Sequence, residues 1–337
     1  MLHKEEEIIS FLKAKKRIEA WGKEKGWDFT VGVFLYYIAN GLSPKNRELQ
    51  LENQKKYHLP LVHAQAPVLL ENSLSYTGKD SLLEIAIEQC AKLRKEDPLK
   101  MPLDIDVHVG VVVFDEEQIP KKPCIYTIDE FLEQKNTLLS QSATRFNQLR
   151  KKAAAHNLGL LVENARAVIF GMSHVTQKPR MHFVPFNKLN TLLSISSEGL
   201  VLDIAHWAGG RFAPLQFKKN NSESEQEQLF AIEGITSWEE YLENNPDYEQ
   251  YLAHTKVLHM SNATGIGVSL KEYPELEKKW GSTGTIQGLL KKKDLKSILE
   301  YASKKNIPIA IEVDYDIKNI PKNNFSEADD FLKYILD

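Results

Sequence analysis

Seven short runs rich in β-branched and apolar residues recur along this 337-residue chain, and they limit its fold more than any other feature. They are Thr30–Tyr37 (TVGVFLYY), Leu59–Pro67 (LPLVHAQAP), Leu103–Gly110 (LDIDVHVG), Gly159–Asn164 (GLLVEN), Gly199–His206 (GLVLDIAH), Lys256–Asn262 (KVLHMSN) and Ile307–Asp314 (IPIAIEVD). Helix-period segments lie between and around them: Glu5–Lys25, Ser81–Lys95, Ala143–His156 closed by Gly159, Lys291–Lys304, and Ser326–Leu336. Near-continuously apolar strands alternating with helices demand a parallel sheet covered on both faces. Seven or eight such units fit a closed (β/α)8 TIM barrel, with an open doubly wound sheet as the alternative. The chain begins with a helix, so the first barrel strand is expected to be missing, displaced or irregular. Residues 1–337 are read as a single TIM-barrel domain, and the polar stretch Asn220–Glu227 marks 208–238 as a long mobile loop within it.

Composition removes several classes. With 42% hydrophobic and 26% charged residues the chain is an ordinary globular protein, neither collagenous nor coiled-coil nor disordered. Its net charge of −3 supplies no global attraction to nucleic acid or to an anionic membrane. Cys90 and Cys124 sit outside any CxxC pattern, which suggests neither a disulfide framework nor a thiolate zinc site and suits a reducing, cytoplasmic setting. The N-terminus MLHKEEEIISFLKAKK is charged where a secretory leader is apolar, and no apolar run is long enough to span a bilayer. Neither a P-loop nor a dinucleotide-binding glycine fingerprint occurs.

The ionisable residues are placed systematically. His63 falls toward the end of the second run, His108 the third, Glu163 the fourth, Asp203 and His206 the fifth, His259 the sixth and Glu312 the seventh. In a barrel those strand ends converge on one mouth, where this architecture carries its catalytic groups. Oxygen and nitrogen donors without cysteine suit a divalent metal such as Zn, Mn, Mg or Co. Taken singly, a strand-end His or Glu is more often a hydrogen-bonded structural group. Six strands doing so together is a pattern, and carboxylates inside runs such as LLVEN and IAIEVD are costly without a compensating cation.

The words LVEN, LVLDIAHW, VLHMSN and IAIEVD, in that order with helices between them, resemble the xylose-isomerase-like TIM barrels. That superfamily joins sugar isomerases and epimerases with endonuclease IV-type apurinic endonucleases. The most specific word is Asp203-Ile-Ala-His206, an Asp-x-x-His. The resemblance implies Glu163, Asp203, His259 and Glu312 as metal ligands. It also implies Glu163 and Glu312 as an acid/base pair on opposite sides of a reacting carbon, with His206 positioning a substrate hydroxyl. The expected reaction is isomerisation or epimerisation of a small sugar, sugar phosphate or related hydroxy-carbonyl compound by metal-assisted proton transfer.

Two departures qualify what the resemblance implies. The nuclease branch holds further metals; His63 and His108 match its additional histidines, but no Asp or His occurs between Asn262 and Gly284, where it requires an Asp-x-His. Many epimerases carry an arginine soon after the HMSN-type histidine and an acidic residue soon after the first ligand Glu. Here the corresponding stretches are MSNATGIG and NARAVIF, and Arg166 and Arg211 are the nearby cations for a sugar or phosphate. A small-molecule substrate is therefore the expected partner and nucleic acid the runner-up, with a metal-dependent phosphodiesterase and a non-catalytic metal-binding barrel as alternatives. Nothing in the sequence reports oligomeric state.

Overall fold

The computed structural model describes residues 4–35, 43–67, 74, 82–109, 112–114, 125–165, 168–172, 179–183, 188–220, 222–266, 278, 280–313 and 325–337. Helix α1 (Glu5–Glu24) leads into β1 (Val33–Leu35), followed by α2 (Pro44–Tyr57), β2 (Leu61–Gln65), α3 (Leu83–Lys95) and β3 (Leu103–His108). The next crossover carries two short strands, β4 (Val112–Phe114) and β5 (Ile125–Tyr126), before α4 (Ile128–Ala154) and β6 (Leu158–Glu163). Strands β7 (Val168–Met172) and β8 (Pro179–Phe183) precede α5 (Leu189–Ile195) and β9 (Leu200–Asp203). Four helices, α6 (Ile204–Asn220), α7 (Glu223–Glu233), α8 (Trp238–Asn244) and α9 (Tyr248–Leu252), lead to β10 (Thr255–Met260). The chain ends through β11 (Asn262–Ala263), β12 (Thr283–Thr285), α10 (Lys292–Lys304), β13 (Ile309–Ile311) and α11 (Ser326–Leu336).

Seven strands form one parallel sheet in the order β1-β2-β3-β6-β9-β10-β13. The order never reverses, so there is no switch point of the doubly wound kind. Strands β2 and β10 stand four places apart, which is about 19 Å in a flat sheet. Yet the rings of His63 on β2 and His259 on β10 are 5.1 Å apart, as are those of Phe34 on β1 and His259. The sheet is therefore curled into an α/β barrel. Among the described residues no ladder joins β13 to β1, and β1 is short and shifts register against β2, so the irregularity expected of the first strand sits at this seam.

Strand alternation divides the side chains between two cores. Ile105 and Val107 on β3, Leu160 and Val162 on β6, Leu200 and Leu202 on β9, and Leu258 and Met260 on β10 point outward and join the large core under the helices. Leu161, Val201 and Val257 point inward and form a separate small cluster inside the barrel. Counting by two from that cluster places Glu163, Asp203 and His259 on the inner face, above an apolar floor. Several helix-to-strand connections are punctuated by a left-handed residue: His58, Lys100, Asn157 and Asn306 all have φ between 46° and 56°. Among the described residues no helix is long and apolar enough to cross a membrane.

Three expectations are corrected. Residues 204–220, 223–233 and 238–244 are helical where a loop over 208–238 was expected. The polar run opens α7, where acidic residues are favoured, and Leu229 and Ile232 bury its far end. Helix α4 begins fifteen residues before the predicted Ala143, at a Thr127–Glu130 capping box. Gly159 lies inside β6, against the Asp104 side chain on the neighbouring strand, rather than closing the preceding helix. A second sheet, β5-β4-β8-β7, is built from the segments following β3 and β6 and is thus attached at the C-terminal ends of the barrel strands.

Candidate metal centre

Four donors from neighbouring strand ends meet at the barrel mouth. Glu163 closes β6, Asp203 closes β9, His259 lies opposite Asp203 on β10, and Glu312 follows β13 with its N–H donating to Met260 O at 3.0 Å. One donor atom from each of the four lies within 4.8 Å of all the others. His259 Nδ1 is 3.3 Å from Glu163 Oε1 and 3.4 Å from Glu312 Oε1. Those separations match the edge, about 3.4 Å, of a tetrahedron of donors each about 2.1 Å from a central ion. Glu163 and His259 are fully buried, and Glu163 Oε1 and both ring nitrogens of His259 make no hydrogen bond. Buried polar atoms are normally paired. The donor set, its spacing and these orphaned atoms fit a divalent cation.

Electrostatics agree. Burial alone would push the Glu163 carboxyl up, but the imidazoles of His108 and His259 hold it well below the usual carboxylate range. Burial would lower His259, but the facing carboxylates of Glu312, Glu163 and Asp106 hold its pKa well above that of free histidine. The site thus carries surplus negative charge, and a proton on His259 is what balances it when no metal does.

A second cluster adjoins the first. Asp106, which is fully buried, groups with His108 and Glu163, and His108 Nε2 is 3.0 Å from Glu163 Oε2. Gln65 Nε2 donates to that same Glu163 oxygen at 2.8 Å. The two oxygens of Glu163 therefore face different neighbours: Oε1 the four-donor group, Oε2 Gln65 and His108. His63 belongs elsewhere: its Nε2 lies 2.6 Å from Asp106 Oδ1, and it groups with Asp106 and His259. His63 and His108, expected together, are thus divided between two groups that share Asp106.

Residues 250–316 match the model of the glycosyl hydrolase family 20 catalytic domain, about a fifth of the chain. No curated protein matches. A D-tagatose 3-epimerase-like protein is similar in structure at 13% identity, covering 91% of this chain and 90% of that one, with a TM-score of 0.46. An L-ribulose 3-epimerase is similar at 12% identity over 97% and 89%, also at 0.46. A xylose isomerase-like TIM barrel protein from Mycobacterium smegmatis, in complex with magnesium, is similar at 11% over 97% and 90%, with a TM-score of 0.42. Likenesses at this level bring no residue role with them.

The remaining expected residues divide. His206 reaches the site: its N–H donates to Asp203 Oδ1 at 2.8 Å, and its Nδ1 lies 3.3 Å from Asp203 Oδ2. Arg211 does not. Its guanidinium donates to Leu242 O and Asn245 O at the end of α8 and pairs with Asp247, because the last carbonyls of that helix take up a nearby cation. Arg166 lies outside the described residues. Sequence reasoning overlooked Asp106, Gln65 and Asn164. The first two were visible by period two, since Asp106 precedes His108 by two residues and Gln65 follows His63 by two.

Proposed function

We propose that the protein is a divalent-metal-dependent isomerase or epimerase of small sugars or related hydroxy-carbonyl compounds, with Glu163, Asp203, His259 and Glu312 holding the metal. The observation that carries this reading is the convergence of four donor atoms within 4.8 Å, among them the unpaired, buried Glu163 Oε1 and His259 Nδ1. Held by these four residues, a divalent ion would supply Lewis acidity to a carbonyl and its adjacent hydroxyl, making the C–H between them more acidic. Glu163, kept ionised by its two histidines, removes the proton from that carbon. Glu312, whose side chain is 17% exposed at the mouth, would in its protonated form deliver a different proton from the other side, and both carboxyls would then exchange protons with solvent. His206, fixed by Asp203, orients a substrate hydroxyl, and the apolar floor of Leu161, Val201 and Val257 closes the site from below.

The test is solvent exchange. Metal-loaded protein incubated with a panel of ketoses and aldoses in deuterium oxide should place deuterium at the carbon beside the carbonyl, and Glu163→Gln and Glu312→Gln should each abolish it. A loaded wild type that exchanges no member of the panel, or turnover surviving in both variants, overturns the reading.

The Asp106–His108–Glu163 cluster favours one second reading, a phosphodiesterase with more than one metal. Elemental analysis separates the two. One metal per chain, unchanged in His108→Ala, belongs to the isomerase; two or more, falling in that variant, belong to the hydrolase.

A further inference from the structure

Asn164 follows the ligand Glu163 and is 1% exposed. The backbone ladder between β6 and β9 runs out beside it: Val162 and Glu163 pair with Leu200 and Val201, and the Asn164 N–H donates to Val201 O at 3.3 Å. Beyond that point β9 turns directly into α6, so no strand backbone remains to hold Asp203 on this side. The Asn164 side chain takes over. Its Oδ1 accepts from the Asp203 N–H at 2.6 Å, and its Nδ2 donates to Asp203 O at 2.9 Å. A primary amide has the donor and acceptor of a peptide group, so this two-bond ring extends the sheet by one rung at the height of the metal ligands. The Asn164 carbonyl also lies 3.1 Å from His206 Nδ1, and the His206 N–H binds Asp203 Oδ1. Asp203, which β10 holds on its other side, is thus held on the β6 side by Asn164 and at its carboxylate by His206.

We propose that Asn164 is a positioning residue: by clasping both backbone polar groups of Asp203, its carboxamide sets the spacing of the Glu163 and Asp203 carboxylates and with it the affinity and coordination geometry of the metal. This rests on the four-ligand reading given above. Asn164→Asp keeps the shape and the acceptor but replaces the donor facing Asp203 O with an oxygen, and Asn164→Ala removes both bonds. Loss of an outer partner of a metal ligand weakens binding by about 10- to 100-fold.

The experiment is cobalt(II) titration of the full chain, reading dissociation constants by competition with a chelator and coordination geometry from the visible absorption band. Unfolding midpoints of the metal-free proteins are measured in parallel. The expected result is one cobalt per wild-type chain, binding weakened by about 10- to 100-fold in both variants, and a displaced or weakened band. Should Asn164→Ala fail to fold, the near-isosteric Asn164→Asp carries the test. Wild-type affinity and an unchanged band in Asn164→Asp overturn the proposal and leave the metal reading standing. Affinity that falls only in step with the metal-free midpoint, the band unmoved, also overturns it, since loosened packing does as much. A wild type that binds no cobalt overturns the ligand assignment itself.

Discussion

His259 Nδ1 and Glu163 Oε1 face each other at 3.3 Å, both buried, with no hydrogen bond between them. Two donor atoms held so close, with neither in a well-aligned hydrogen bond, are placed to share a cation. In the metal-free protein that role falls to a proton, because Glu312, Glu163 and Asp106 overcome the burial of His259 and raise its pKa well above 6.5. Metal binding needs the ring nitrogen unprotonated and must displace that proton. Affinity should therefore weaken by about tenfold per pH unit as pH falls through the neutral range, with about one proton released per metal. Calorimetry in two buffers of different ionisation enthalpy measures that number directly. A pH-independent affinity with no proton release would contradict the assignment of His259.

A structural prediction concerns the turn after Trp280. Gly281 has φ +68°, and a Cβ there would come within 2.6 Å of the Thr264 carbonyl and the Gly265 nitrogen, all backbone. Neither neighbour can move aside without disturbing the β11–β12 ladder that follows β10. Gly281→Ala combines a disfavoured backbone conformation with a clash and should cost at least about 2 kcal/mol. Chemical denaturation of wild type and variant gives the difference. A loss under about 0.5 kcal/mol, the range of an ordinary surface change, would show that the turn relaxes freely.

The contrast between Glu163 and Arg211 shows how far the site was legible beforehand. Glu163 announces itself because it ends an apolar strand, and in a parallel barrel a strand end is a place in space as well as in sequence. Asp106 was equally legible, since the alternation in LDIDVH turns it inward with His108, but it stands one step below the strand end. Arg211 misled because proximity along the chain to Asp-x-x-His says nothing of direction; only the packing of α8 shows which carbonyls take its guanidinium. Helices α6 to α9 were hidden for a related reason. Two glycines, a proline and a polar run read locally as loop, and their helical state rests on long-range burial of Phe217, Leu229, Ile232 and Trp238. Strands as short as Val112–Phe114 cannot display a period at all.

Away from the mouth, Glu233 at the end of α7 is 6% exposed, and burial pushes its carboxyl up to about 7. The two nearest ammonium groups do little to stop this, because Lys135 donates to Ile232 O and Lys188 to Glu233 O. An acid whose pKa is raised on folding binds more protons in the native state, so its contribution to stability is lost as pH rises from about 4.5 through about 7. Between pH 5.5 and pH 8 the loss amounts to about 2 kcal/mol. Glu233→Gln lacks that component, so its unfolding midpoint should fall less than that of wild type over the same interval. Parallel melting curves, run with chelator at both pH values, decide the matter; identical shifts would show that Glu233 finds a charge partner or water in solution.

Asp106 poses the sharpest conflict between stability and use. It is fully buried, burial and the adjacent Glu163 push its pKa well above the usual carboxylate range, and its partner His63 is driven toward the neutral form by its own burial and by His259. In the metal-free barrel a protonated His259 favours a negative charge at that position, but burial and Glu163 outweigh it. Asn is nearly isosteric, can still bond to His63 and carries no charge, so Asp106→Asn should stabilise the metal-free protein by about 1–3 kcal/mol. The sign follows from the raised pKa: the cost of the carboxylate grows as pH rises from about 4 toward neutrality, and the gain from Asn grows with it. The same substitution removes a carboxyl that faces both His259 and the His108–Glu163 cluster and that a bound cation would draw into its ionised form, so metal retention or turnover should fall as stability rises. Unfolding in chelator and metal content of the purified variant test the two halves separately. A variant both less stable without metal and undiminished in metal content would mean that the Asp106 carboxylate is already matched by a protonated histidine, and that it serves the fold rather than the site.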